Sequence, residues 1–192
     1  MELDDLTLSS SEIQALVRRI HRPVVLVGMM GVGKSTVGRK LAQALHLPFV
    51  DADDEIETAA QMSIPEIFDS FGEAGFRDGE RRVIARLISS SDSIPKVIAT
   101  GGGAFCQAET RALILENAIA VWLDADIDVL LDRVARKGNR PLLKQGDPRE
   151  TLTRLRDERA PFYSQAPIHI KSGNFSHTRT VSQILKGIDA WL

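Results

Sequence analysis

Apolar positions along this chain change period in a regular way. Residues 23–28 read PVVLVG, a β-branched run closed by glycine, the pattern of a strand covered on both faces. Val37, Leu41, Ala44 and Leu45 then recur at helical spacing. Residues 48–50 (PFV) predict a second, short strand that ends at Asp51-Ala52-Asp53-Asp54. Ser63 and Glu66 have capping-box spacing, with Pro65 near the first turn. The long helical stretch that follows carries Phe76, Val83, Ile84, Leu87 and Ile88 on one face. Residues 96–100 (KVIAT) predict a third strand, 118–124 (AIAVWLD) a fourth and 167–171 (PIHIK) a fifth. Between and after them, Ile127, Leu130, Leu131 and Val134 mark one helix. Leu152 and Leu155 begin another, which Pro161 helps to stop, and Val181, Ile184, Leu185, Ile188 and Trp191 mark an amphipathic closing helix. Residues 137–148 (KGNRPLLKQGDP) have no period and predict a loop. Ahead of all this, Ser9 and Glu12 cap a short helix bearing Ile13, Leu16, Val17 and Ile20, expected to pack outside the main domain.

Strands alternating with helices imply βαβ units, right-handed crossovers and a parallel sheet. The expected architecture is α/β: one three-layer domain over residues 23–192 with five parallel strands, preceded by an extension over 1–22. The length of 192 residues suits one domain. A ligand in such a sheet sits at the carboxyl ends of the strands.

Charge and composition narrow the function classes. Lys+Arg is 24 and Asp+Glu 26, a net charge of −2, whereas a general nucleic-acid or anionic-membrane binder wants a basic surplus. The single cysteine, Cys106, excludes an internal disulfide and a multi-cysteine zinc site, and fits a reducing compartment. It reads as a small apolar residue near a strand end. No apolar run approaches the roughly 18 residues of a membrane span. The first eleven residues, MELDDLTLSSS, lack the basic start of a signal peptide and the arginines of a transit peptide, so the cytoplasm is expected. The four histidines show no metal-ligand spacing.

Gly28-Met29-Met30-Gly31-Val32-Gly33-Lys34-Ser35 matches G-x-x-x-x-G-K-[ST] between a predicted strand and a predicted helix, the context this phosphate-binding loop requires. Glycines let backbone N–H groups wrap a phosphate, and the helix N-terminus adds partial positive charge. Lys34 would reach the β- and γ-phosphates and Ser35 would ligate Mg²⁺. Guanine-reading Asn-Lys-x-Asp is missing, because none of Asn117, Asn139 and Asn174 precedes a lysine. No Leu-Ser-Gly-Gly-Gln occurs either. By elimination, the chain reads as a small-molecule kinase with a lid.

On the acceptor side, Asp51-Ala52-Asp53 is read as a strand end whose alternate carboxylates diverge, one toward a metal and one toward a substrate hydroxyl. Taken alone it equally describes a solvated acidic turn. Arg77 and Glu80, three apart on a helix, fit a surface ion pair as well as a site. Gly101-Gly102-Gly103 after a strand suits close approach of backbone to a ligand. Arg140, in the loop with Lys137 and Lys144, could put a cation on a transferring phosphoryl group.

From about residue 23 to 171 the chain resembles the shikimate kinases. The resemblance rests on Gly28 to Thr36, Asp51-Ala52-Asp53, Phe76-Arg77 with Glu80, Gly101-Gly102-Gly103, Arg140-Pro141-Leu142-Leu143 and Arg159-Ala160-Pro161-Phe162-Tyr163, in that order and spacing. It implies a P-loop kinase fold with a substrate-binding helical region and a mobile lid at about 137–148. The implied activity is transfer of the γ-phosphoryl group of MgATP to the 3-hydroxyl of shikimate, in aromatic amino acid biosynthesis. Implied roles follow residue by residue. Asp53 holds the shikimate hydroxyls, including the acceptor. Arg77 and Arg159 grip the carboxylate, and Glu80 orients Arg77 and a hydroxyl. An amide of the triple glycine, at Gly102 or Gly103, contacts substrate. Asp51 bears on Mg²⁺ through water, Arg140 is the lid arginine, and Arg133, with Arg136 as the neighbouring alternative, packs on adenine. ATP and shikimate are then the small-molecule partners, with neither nucleic acid nor membrane, and a monomer is expected. The rivals are a gluconate or nucleoside-monophosphate kinase on the same scaffold, and a non-catalytic nucleotide-binding regulator. Asp78-Gly79 departs from the helix-favouring pair expected after Arg77.

Overall fold

The computed structural model describes residues 8–89, 94–137, 147–173 and 176–192. In chain order the elements are α1 (Ser10–Val17), β1 (Val24–Val27), α2 (Lys34–Leu45), β2 (Phe49–Asp51), α3 (Ala52–Ala60), α4 (Ile64–Ser89), β3 (Val97–Ala99) and a short 3₁₀ turn (Ala104–Cys106). They continue with α5 (Ala108–Asn117), β4 (Ile119–Asp124), α6 (Ile127–Lys137), α7 (Pro148–Tyr163), β5 (Ile168–Lys171) and α8 (His177–Trp191).

All five strands are parallel, in the order β2-β3-β1-β4-β5. The chain steps leftward from β1 to β2 and rightward on every later crossover. With right-handed crossovers, α2 and α4 must therefore lie on opposite faces. The packing agrees: α1 and α8 sit against α2, while α5 sits against α4. This is the three-layer α/β arrangement expected. The four residues of central β1 are fully buried, which is why it reads as an unbroken apolar run. Edge strand β5 alternates, with Ile168 and Ile170 buried and His169 and Lys171 exposed.

Both capping boxes form. The Ser9 backbone N–H donates to Glu12 Oε2 at 2.7 Å, and that of Ser63 to Glu66 Oε2 at 2.8 Å. Leu16 and Ile20 of the leading segment are buried in the same core as the sheet.

Four elements differ from the sequence reading. Helix α3 starts directly after Asp51, so Asp53 lies in a first helical turn and not at a strand end. Periodicity does not predict helix α5, because its apolar residues scatter around the axis; only Thr110 and Ile114 are buried. Helix α7 runs past Pro161 to Tyr163, since a proline within a turn of the C-terminus forfeits a hydrogen bond without ending the helix at once. The long helix α4 is in fact two segments meeting at Gly72, whose φ of 67° and ψ of −178° are non-helical. Among the described residues, no helix is long and apolar enough to cross a membrane.

Candidate active site

The loop after β1 is shaped by residues that only glycine can supply. Gly28 has φ 136°, and a Cβ there would lie 2.3 Å from the Leu123 carbonyl oxygen on β4. Gly33, at φ 99°, begins α2 with no capping side chain, leaving the helix's first N–H groups for an anion. Met29 is buried and Val32 fully so, while Met30, Gly31, Gly33, Lys34, Ser35 and Thr36 line a cleft of about 360 Å³. Asp51, Asp53, Thr100, Gly101, Gly102, Arg133 and His177 complete its wall. The Lys34 side chain is buried, and its Nζ donates to the Gly28 and Met29 carbonyls at 2.8 and 2.9 Å.

Asp51, at the end of β2, ties that strand to the first turn of α2. Its Oδ2 accepts from Ser35 Oγ at 2.6 Å and its Oδ1 from the Asp53 backbone N–H at 3.1 Å, which caps α3. The helical turn then carries the Asp53 carboxylate sideways to Gly101. A Cβ at Gly101 would stand 3.1 Å from Asp53 Oδ1 and 2.9 Å from Glu80 Oε1, so two carboxylates converge on one glycine.

Glu80, 1% exposed, comes from the second segment of α4. Its Oε2 accepts from Arg77 Nη1 at 2.7 Å, and its Oε1 is buried with no hydrogen-bond partner. Burial pushes the carboxyl above its ordinary value, against the pull of the Arg77 guanidinium; the Asp53 carboxylate adds to the rise. The Arg77 guanidinium lies over Gly103, where a Cβ would come within 2.4 Å of Nη2. Its Nε is likewise buried and donates no hydrogen bond. Arg159, from α7, donates through Nη1 to the Gly102 carbonyl at 3.3 Å. Arg133, from α6, bridges the rim of the cleft: Nη1 donates to the Val32 carbonyl at 2.7 Å and Nη2 to that of Gly173 at 3.1 Å.

The fold thus brings together Lys34, Ser35, Asp51, Asp53, Arg77, Glu80, the triple glycine, Arg133 and Arg159. Arg140 and most of the expected lid lie outside the described residues. Two residues here have no role in the sequence reading, although Tyr163 closes the Arg159-to-Tyr163 motif quoted there. Tyr163 donates its hydroxyl to the Gly102 carbonyl and is 1% exposed; its spacing of four from Arg159 was the available signal. His177 stands in the cleft wall at the start of α8, and no spacing pointed to it. The Cys106 thiol is pushed upward by burial, in keeping with an unreactive small side chain. No cluster of three or more histidine, cysteine or acidic residues able to hold a metal occurs among the described residues.

A phosphate loop after the central strand, with acids and arginines on helices facing it across the strand ends, defines a P-loop kinase of small molecules. The shikimate kinase family model matches residues 30–189, and the chain belongs to the shikimate kinase family. It is 67% identical to the shikimate kinase of Novosphingobium aromaticivorans over the full length of both chains. It is 56% identical to that of Bradyrhizobium diazoefficiens, covering 96% of this chain and 87% of the relative. Among solved structures, the shikimate kinase from Acinetobacter baumannii in complex with shikimate superposes with a TM-score of 0.80 at 36% identity, covering 91% and 97% of the two chains. A gluconokinase from Sinorhizobium meliloti shares the fold alone, at 16% identity and a TM-score of 0.60 over 89% and 93%.

Proposed function

We propose that this chain transfers the γ-phosphoryl group of MgATP to the 3-hydroxyl of shikimate, giving shikimate 3-phosphate and ADP in aromatic amino acid biosynthesis. The observation that carries this reading is the acceptor wall. Asp53 and Glu80 converge on Gly101 while Arg77 and Arg159 flank the rest of the triple glycine. Carboxylates accept hydrogen bonds from a polyol, and planar guanidinium forks pair with a carboxylate. A ring bearing hydroxyls on one side and a carboxylate on the other matches both.

Transfer of a phosphoryl group through a loose transition state depends on positioning and on spreading charge. The amides at the start of α2 cradle the β-phosphate. Lys34 leaves the loop carbonyls that now hold its ammonium and turns to the β- and γ-oxygens. Asp53 accepts the hydrogen bond of the 3-hydroxyl, aligns its oxygen with the γ-phosphorus and can take up its proton. Glu80 holds Arg77 by one oxygen and offers the other to a second hydroxyl. Arg133 lines the nucleotide end of the cleft, and Arg140 contributes a cation from the lid.

The Ser35 hydroxyl and the Asp51 carboxylate, 2.6 Å apart, are an all-oxygen pair of the kind that hard Mg²⁺ takes beside phosphate oxygens and water. When bound, the ion neutralises charge on the transferring phosphates. ADP release from MgATP, measured with shikimate, quinate, gluconate or AMP offered separately, tests the reading. Turnover with shikimate alone is expected, and none with shikimate would overturn it.

A further inference from the structure

We infer that Tyr163 is a positioning residue for the acceptor, acting through the peptide plane between Gly102 and Gly103; this rests on the function proposed above. The Gly102 carbonyl receives two donors, Tyr163 Oη and Arg159 Nη1, the second at 3.3 Å. They stand four apart on α7 and so share a face of that helix. In a trans peptide the carbonyl and the following N–H point in opposite directions. Holding the Gly102 oxygen toward α7 therefore turns the Gly103 N–H away from α7.

The pinned peptide sits at the junction of the two half-sites. A Cβ at Gly102 would lie 3.2 Å from the Met30 backbone nitrogen in the phosphate loop, and Gly103 lies beneath Arg77. A run of three glycines has the loosest backbone a chain can offer. The Ala104 N–H donates to the Gly101 carbonyl at 3.3 Å, which makes this the central plane of a turn; that bond closes the turn with the plane in either orientation, so a contact to the plane itself selects one. Arg159 is a poor choice for that task, since a substrate carboxylate draws its guanidinium away. Tyr163 carries no charge for the substrate to attract, and burial pushes its hydroxyl well above the ordinary phenol value, so it stays a donor. Its ring is stacked on Trp122 of β4 with centroids 5.8 Å apart, which anchors the hydroxyl to the sheet itself. The geometry assigns Tyr163 two effects. It keeps the Gly103 amide presented to the acceptor, and it keeps the Gly102 oxygen satisfied when Arg159 turns to the substrate.

Tyr163→Phe keeps the stacked ring and removes only the hydroxyl. Its KM for shikimate should rise about tenfold, the scale of one buried hydrogen bond, with kcat within about threefold and the KM for ATP within about twofold of the parent. An unchanged KM for shikimate, or equal losses toward both substrates, would overturn the assignment. Because this is the chain's single tyrosine, 3-fluorotyrosine labels position 163 alone. Its one ¹⁹F resonance should move when shikimate binds and stay in place with ADP alone, a readout that needs no variant to fold. A resonance indifferent to saturating shikimate would also overturn it. Both tests are read on protein whose shikimate-dependent ADP release has been established, so loss of the underlying function is seen separately in the parent.

Discussion

Ser35 and Asp51, sixteen residues apart, meet through a 2.6 Å hydrogen bond, and the same Asp51 carboxylate caps α3 through the Asp53 N–H. One side chain therefore joins the start of α2 to the helix that carries Asp53, and in the proposed function it also serves Mg²⁺. Asp51→Asn keeps an oxygen for the cap and loses the charge. The Mg²⁺ concentration for half-maximal activity should rise at least about tenfold while the thermal midpoint stays nearly constant. Asp51→Ala removes the cap as well and should cost about 1 kcal/mol of stability, read by denaturant unfolding.

In the proposed function Asp53 is the carboxylate that holds the acceptor hydroxyl. Asp53→Asn should lower kcat by at least about 100-fold, the scale of a positioned acid or base, with the Kd for ATP little changed in calorimetry. Substantial residual turnover would remove it from the reaction.

Glu80 gives a pH signature. Its carboxyl sits above the ordinary 4.5 in the folded protein because burial disfavours the ion. Between 4.5 and that raised value the native state binds more protons than the unfolded chain, so this group's contribution to stability falls as pH increases through the window. Glu80→Gln has no such slope. The difference in thermal midpoint, variant minus parent, should become more positive as pH is raised from about 4.5, and a flat difference would contradict the shift. The same variant should raise the KM for shikimate, because Arg77 loses its charged partner at 2.7 Å.

Arg159→Ala should weaken shikimate far more than ATP. Loss of a hydrogen-bonded charge pair corresponds to about 10- to 100-fold in Kd, measured by titration of each ligand alone. Equal losses would place Arg159 in the scaffold and not in the acceptor site.

Gly79 stands inside α4 with nothing within 4 Å of where its Cβ would be. Gly79→Ala should stabilise the protein by about 0.5–1 kcal/mol through lower backbone entropy in the unfolded chain, seen as a higher urea midpoint at unchanged slope. Its neighbour Gly75 is different, since a Cβ there would lie 2.6 Å from that of Phe71 across the kink.

Much of this architecture is local and so is legible in the chain. The five strands, the glycine loop and both capping boxes depend on period, β-branching and short-range hydrogen bonds, and each was readable from its own residues. The family motifs pointed to Asp53, Arg77, Glu80 and Arg159 in the same way, by order and spacing. What local pattern leaves open is direction. Asp51-Ala52-Asp53 has the same letters whether it ends a strand or opens a helix; the helix comes with the Asp51 cap on the Asp53 N–H and with packing of α3 against α4. An arginine and a glutamate three apart describe a surface pair until the fold buries Glu80 and lays Arg77 over Gly103. Tyr163 and Gly102 are sixty-one positions apart, and no periodicity links them; α7 must first lie across the triple-glycine loop. The sequence alone determined which backbone shapes were affordable and which chemical groups were present. The tertiary structure decided which of those groups face one another, because that follows from long-range burial of apolar surface rather than from any residue's neighbours in the chain.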